Sequence, residues 1–146
     1  MLSDEDVRGL DAAEFAFPGP LRDALVAAIL DGSKTGTTSL LWEYEAEGLP
    51  LPLVGTREVV VDSDDERVCV IETTAVSVTP VGEVDLQHAR DEGESYESVA
   101  AWRAGHEDFW HGDDYQTEYS ALTGGSSFTV RDSTPAVLTR FRVVAR

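Results

Sequence analysis

Val68 to Val78 reads Val-Cys-Val-Ile-Glu-Thr-Thr-Ala-Val-Ser-Val. A run so rich in β-branched residues belongs in an extended strand, so a chain containing it is committed to a sheet. Glu72 interrupts the run. Either one face of that strand is polar or Glu72 is paired inside, because burying an unpaired carboxylate is costly. Further strands are predicted at Arg57–Asp62, at Phe128–Arg131 and at Ala136–Val144, where arginines alternate with apolar residues. Ser63-Asp64-Asp65-Glu66 reads as a turn between the first two.

Helices frame these strands. Leu21, Ala24, Leu25, Ala28 and Ile29 recur at helical spacing between Pro20, which suits a first turn, and Gly32, which suits a C-cap. Asp85 can cap a short helix reaching about Glu92, and Ser95 a second. In that second helix Val99, Trp102, His106, Phe109 and Trp110 share a stripe, and Gly112 ends it. Residues 113–126 read as a polar loop with some extended backbone. Gly48 to Gly55, with two prolines, reads as a connection. The order is α+β, and the strand content favours a small β-barrel flanked by helices. Residues 1–14 are read as an N-terminal lead-in that needs no fixed structure, and 15–146 as a single domain onto which Phe15 and Phe17 pack.

The 146 residues suffice for one hydrophobic core. No apolar run approaches the roughly 20 residues of a membrane span. One cysteine, Cys69, excludes a disulfide framework, and its apolar strand suggests an inert buried thiol. With no secretory pattern in the acidic start, the cytoplasm is the simplest compartment.

Net charge is −17. This argues against long duplex nucleic acid, where phosphate neutralisation supplies most of the affinity. A small or single-stranded nucleotide ligand stays open. Charge is uneven: residues 83–118 carry eleven acids against Arg90 and Arg103, whereas 119–146 carry four arginines against Asp132. An anion-binding surface is therefore expected in the C-terminal part, and an acidic surface for a basic partner at 83–118. Lys34 is the sole lysine beside ten arginines. A lysine can lose its proton when buried, and an arginine cannot.

Lys34 lies in Gly32-Ser33-Lys34-Thr35-Gly36-Thr37, followed by Thr38 and Ser39. The spacing is not that of a phosphate-binding P-loop. A lysine of lowered pKa could take the proton of Thr37 and create a nucleophile, or could hold an anion as a point charge. A hydroxyl-rich turn closing a helix is the alternative. Leu40-Leu41-Trp42-Glu43-Tyr44 is read as a strand, on which Trp42 and Tyr44 either line a pocket and stack on a nucleobase or simply pack the core. Glu72 and Glu92 are the carboxylates placed to orient a lysine or work as acid and base. His106 and His111 are five apart, not the four that puts two ligands on one helical face, so no metal site is expected. No nucleophile elbow or dinucleotide fingerprint occurs, and no cofactor is expected.

Taken together, Gly32-Ser33-Lys34-Thr35-Gly36-Thr37, Ser39-Leu40-Leu41-Trp42-Glu43-Tyr44-Glu45, Val54-Gly55, Val70-Ile71-Glu72-Thr73-Thr74, Glu92-Gly93-Glu94, Trp102-Arg103-x-x-His106 and Arg140-Phe141-Arg142-Val143-Val144 resemble the ASCH (activating signal cointegrator homology) domain, a family of PUA-like β-barrels. The resemblance implies a cleft beside the helix preceding Lys34, and RNA or an RNA-derived nucleoside as ligand. It implies hydrolysis either of single-stranded RNA or of N4-acetylcytidine, or else a non-catalytic RNA-binding module. By the amidohydrolase pattern Lys34 is the base, Thr37 the nucleophile and Glu92 of His88-Ala89-Arg90-Asp91-Glu92 the polarising or orienting group. Thr35, Ser39, Trp42, Tyr44, Glu72 and Arg140 are expected to bind substrate. Three departures are visible, one being that the chain is considerably longer than the small amidohydrolases. Ser39 stands where the amidohydrolases carry an arginine, and Phe17-Pro18-Gly19-Pro20 lacks the acid that often precedes the first helix.

Overall fold

The computed structural model describes residues 1–146. The expected long strand forms: β4 (Arg67–Pro80) pairs antiparallel along its length with β5 (Pro135–Ala145). Outside β4 lies β3 (Arg57–Val61), and outside β5 lies β2 (Gly36–Leu40), both antiparallel to their neighbours. A three-residue strand, β1 (Asp11–Ala13), adds in parallel to β3. The order is β1-β3-β4-β5-β2. Because the end strands β1 and β2 do not pair with each other, the sheet stays open instead of closing into a barrel. Bulges at Val60/Val61, Val70/Ile71 and Thr73/Ala75 interrupt the ladders, and such bulges bend and twist strands locally.

Six helices complete the α+β fold. α1 (Asp4–Val7) starts at Ser3, whose hydroxyl accepts from the Asp6 N–H at 3.2 Å. It sets Val7 against Val59 and Val70. The lead-in residues thus pack on the sheet and supply one of its strands. α2 (Pro20–Asp31) ends at Gly32 in the left-handed conformation, as read from the sequence. Its inward face differs from the expected stripe. Val26, Ile29 and Arg22 are buried, while Leu21 is exposed. Arg22 turns inward because its guanidinium donates to the carbonyls of Phe15 (3.3 Å), Ala16 (2.7 Å) and Asp62 (3.4 Å). Val26 and Ile29 join Phe15, Cys69, Ile71 and Phe141 in one core cluster.

α3 (Leu41–Glu47) replaces the strand expected at Leu40–Tyr44. Glu43 reaches back to the Leu40 N–H at 2.7 Å, and Gly48 closes the helix with φ +64°. These are start and stop signals that the apolar residues between them obscure. α4 (Leu86–Asp91) is capped by Asp85 as expected. α5 (Val99–Trp110) is capped by Ser98, not by Ser95, which lies outside the helix with φ +65°. α6 (Asp113–Thr123) occupies the stretch read as a loop, with acids in its first turn and left-handed Gly124 after its last. Tyr115 is its buried residue, with Tyr119 one turn on half-buried. Phe128–Arg131 is not a strand. Gln116 takes the Phe128 N–H (2.7 Å) and carbonyl (2.8 Å), which leaves those groups nothing to offer a ladder. A second core cluster joins Leu40, Trp102, Trp110, Tyr115 and Ala136.

Arg22→Ala should lower unfolding free energy by about 2–4 kcal/mol, since it strips three carbonyls of a buried donor. Urea denaturation measures this. A loss below 1 kcal/mol would show that water replaces the guanidinium.

Candidate functional site

Three backbone contacts place the Lys34 segment. The Lys34 N–H donates to the Ala28 carbonyl (3.0 Å), the Thr35 N–H to Asp91 (2.7 Å), and the Thr35 carbonyl accepts from the Phe141 N–H (3.0 Å). Helix α2, the end of α4 and strand β5 therefore meet at two residues. Gly93 permits the approach: it has φ +72°, and a side chain there would sit 2.8 Å from the Lys34 backbone.

Lys34 is only 3% exposed. Its ammonium donates to the carbonyls of Gly36 (2.8 Å) and Glu92 (3.3 Å), and lies 5.7 Å from the centre of the Phe15 ring. Burial pushes its pKa down, and the charges of Glu92 and Glu94 offset this only in part. Two neutral carbonyls are poor compensation for a desolvated charge, so the neutral amine is unusually accessible.

The Glu92 carboxylate is 1% exposed and turned elsewhere. It accepts from the indole N–H of Trp102 and lies 3.0 Å from His106 Nε2. His106 Nδ1 lies 2.9 Å from the Trp102 carbonyl. A carbonyl only accepts, so Nδ1 carries a proton. Nε2 must then either donate to a carboxylate or accept from a carboxylic acid. Burial opposes both charges, but the hydrogen bond and charge of each partner prevail: His106 is raised and Glu92 lowered. Both directions favour an imidazolium facing a carboxylate. His88, pushed down by burial, bonds Thr38 Oγ1 through Nε2 at 2.8 Å and stands 3.9 Å from Glu92.

Beyond Lys34 opens a cleft of about 850 Å³, within the range that holds small-molecule ligands. Thr37 and Ser39 face into it from the edge strand, on the sheet face of Thr139 and Phe141. Trp42 and Tyr44 line it from α3 instead of the expected strand, with Trp42 edge-on to Tyr119 at 4.9 Å. Glu92 and His106 line it beside Lys34.

Three expected ligand-binding residues lie elsewhere. Glu72 occupies the opposite sheet face, held by Arg57 and Arg142 at 2.9 Å each. These arginines hold its carboxyl below the usual range. Arg140 also points to that face and pairs with Asp91. Strand alternation imposes this, since Thr139 and Phe141 take the cleft side. The Thr35 side chain is exposed outside the cleft, and its backbone does the bracing. Missed from the sequence as site residues were His106, placed only on the apolar stripe of its helix, and Glu94. Glu92, Glu94 and His106 bring one ligand atom each within 4.8 Å of one another, a spacing able to hold a metal ion. A cation there would have to replace the proton on His106 Nε2.

The sequence model of the ASCH domain matches residues 13–145. The chain belongs to the ASCH domain family. This ASCH domain is also similar in structure to an ASCH domain from Lactobacillus crispatus JV V101, with TM-score 0.79 and 30% identity over 97% of this chain and 84% of that one. Protein EF3133 from Enterococcus faecalis V583 superposes with TM-score 0.78 at 24% identity, covering 92% of this chain and 76% of that one. No curated protein matches the chain. No helix of this ASCH domain is long and apolar enough to cross a membrane.

The sign of the His106 shift sets a pH dependence. A raised folded pKa supplies stability that is complete below the unfolded value near 6.5 and vanishes as pH rises through the folded value. The urea midpoint gap between wild type and His106→Gln should therefore shrink on the alkaline side. A gap constant from pH 5 to 9 would contradict the ion pair.

Proposed function

We propose that this ASCH domain is a hydrolase acting on an RNA-derived nucleoside, with an exocyclic amide of the N4-acetylcytidine type as the bond cut. The observation that carries the reading is the burial of Lys34 against carbonyl oxygens, with the neighbouring carboxylate committed to His106 and Trp102. A lysine so placed can act as a base near neutral pH. Thr37, three residues on, offers a hydroxyl to the same cleft.

In this mechanism Lys34 Nζ accepts the Thr37 proton as Oγ1 attacks the amide carbonyl. The tetrahedral intermediate collapses, the C–N bond breaks, and the Lys34 ammonium returns the proton to the departing amine. Water then attacks the acyl-threonine ester as Lys34 takes its proton, the ester C–O bond breaks to release the carboxylic acid, and Lys34 returns the proton to Thr37 Oγ1. Glu92 orients Lys34 through its carbonyl and sets the local charge through its carboxylate. Trp42 and Tyr44 offer aromatic surface to a base.

Purified protein incubated with N4-acetylcytidine should release cytidine and acetate, read by mass spectrometry. Lys34→Arg should lower the rate at least about 100-fold, because a guanidinium does not give up its proton. Thr37→Val should abolish turnover and retain binding. Cleavage of single-stranded RNA instead, lost in Lys34→Arg, would reassign the substrate to the polymer. Binding without product in wild type would leave a nucleoside-reading module.

A further inference from the structure

The residues that line the cleft differ sharply in charge from those on the opposite sheet face. Glu43, Glu47, Glu94 and Glu118 line it on the helical side, and Glu58 and Glu14 on the side of the β1–β3 edge. Glu47 and Glu118 stand near enough to raise the Glu43 carboxyl, although burial is the larger cause. The basic side chains that line the cleft with them are Arg22, Lys34 and His106. Arg22 is 2% exposed and bonded to three carbonyls, and Lys34 is 3% exposed and bonded to two. Both side chains are buried and held by backbone carbonyls, so neither offers an exposed charge to an anion. His106 is committed to Glu92.

Phosphate recognition takes the opposite arrangement: exposed arginines, lysines or backbone N–H groups aimed at the anion. Arginines of that kind exist here, but Arg57, Arg140 and Arg142 lie across the sheet, each paired with Glu72 or Asp91. We infer that the Lys34 cleft is a charge filter: it admits an uncharged, nucleoside-sized ligand and rejects the same base bearing a phosphate, as a nucleotide or within a strand. This inference rests on the nucleoside reading of the cleft and narrows it. Carboxylates around a cleft repel an anion over about 8–10 Å at physiological ionic strength, a distance comparable to the cleft itself.

The test measures binding by calorimetry with three probes: N4-acetylcytidine, its 5′-monophosphate, and a short single-stranded RNA containing the same base. Lys34→Arg is run beside wild type to confirm that heat comes from this cleft. At low salt the monophosphate and the RNA should bind at least about tenfold more weakly than the nucleoside, like charges in a cleft being strongly disfavoured. The gap should narrow in 0.3 M salt and in the double variant Glu47→Gln/Glu118→Gln, whose side chains are exposed and leave the core untouched. Equal or tighter binding of either phosphate-bearing probe overturns the inference, as does no binding of the nucleoside. Failure of the hydrolase reading looks different: the nucleoside binds with the stated preference, and no cytidine appears.

Discussion

Everything near the cleft depends on putting the chain's one lysine where water cannot reach it. Desolvating an ammonium costs several kcal/mol unless partners compensate. Here the compensation is two backbone carbonyls and an aromatic face. Those partners exist only because Gly93 lets the end of α4 press on the Lys34 backbone, while Thr35 is clamped between Asp91 and Phe141. The position of β2 on the sheet, and with it Thr37 and Ser39, follows from the same clamp.

The second condition is that Glu92 should not neutralise Lys34 outright. A carboxylate bonded directly to the ammonium would hold the lysine charged. Trp102 and His106 prevent that by taking the carboxylate from the α5 side. The cluster distributes two buried charges so that one pair is satisfied and the amine stands apart. Trp102, wholly buried, thus serves packing and electrostatics at once. The second core cluster then fixes α5 and α6 against α3, and the aromatic wall of the cleft follows from that packing.

Much of this was legible in the sequence, for identifiable reasons. The β4 run and the alternating β5 run declared themselves because β-branched residues have few other uses. Pro20 and Gly32 marked α2. The isolation of Lys34 among ten arginines singled out the candidate site, and the residues around it offered Thr37 and Glu92 before the resemblance gave them roles. What was hidden depended on tertiary contacts. Arg22 entered the core because three distant carbonyls receive it. The sequence around α3 is equally apolar read as strand or helix, and only the return of Glu43 to Leu40 decides. That Glu72 and Arg140 point away from the cleft was not readable, because register, not composition, determines which way a strand residue points. His106 looked like core because its partner is fourteen residues away.

The central claim is that Lys34 holds its proton weakly. Because the chain has a single lysine, incorporation of 13C,15N-lysine yields one side-chain signal with no assignment problem. Following its Cε and Nζ shifts from pH 5 to 11 gives the titration directly, without any substrate. A midpoint well below the ordinary value near 10.4, moving upward in His106→Gln as Glu92 is freed, is the predicted result. A midpoint at or above 10.4 would mean that Lys34 is a permanently charged structural residue, and the account of the site would be wrong.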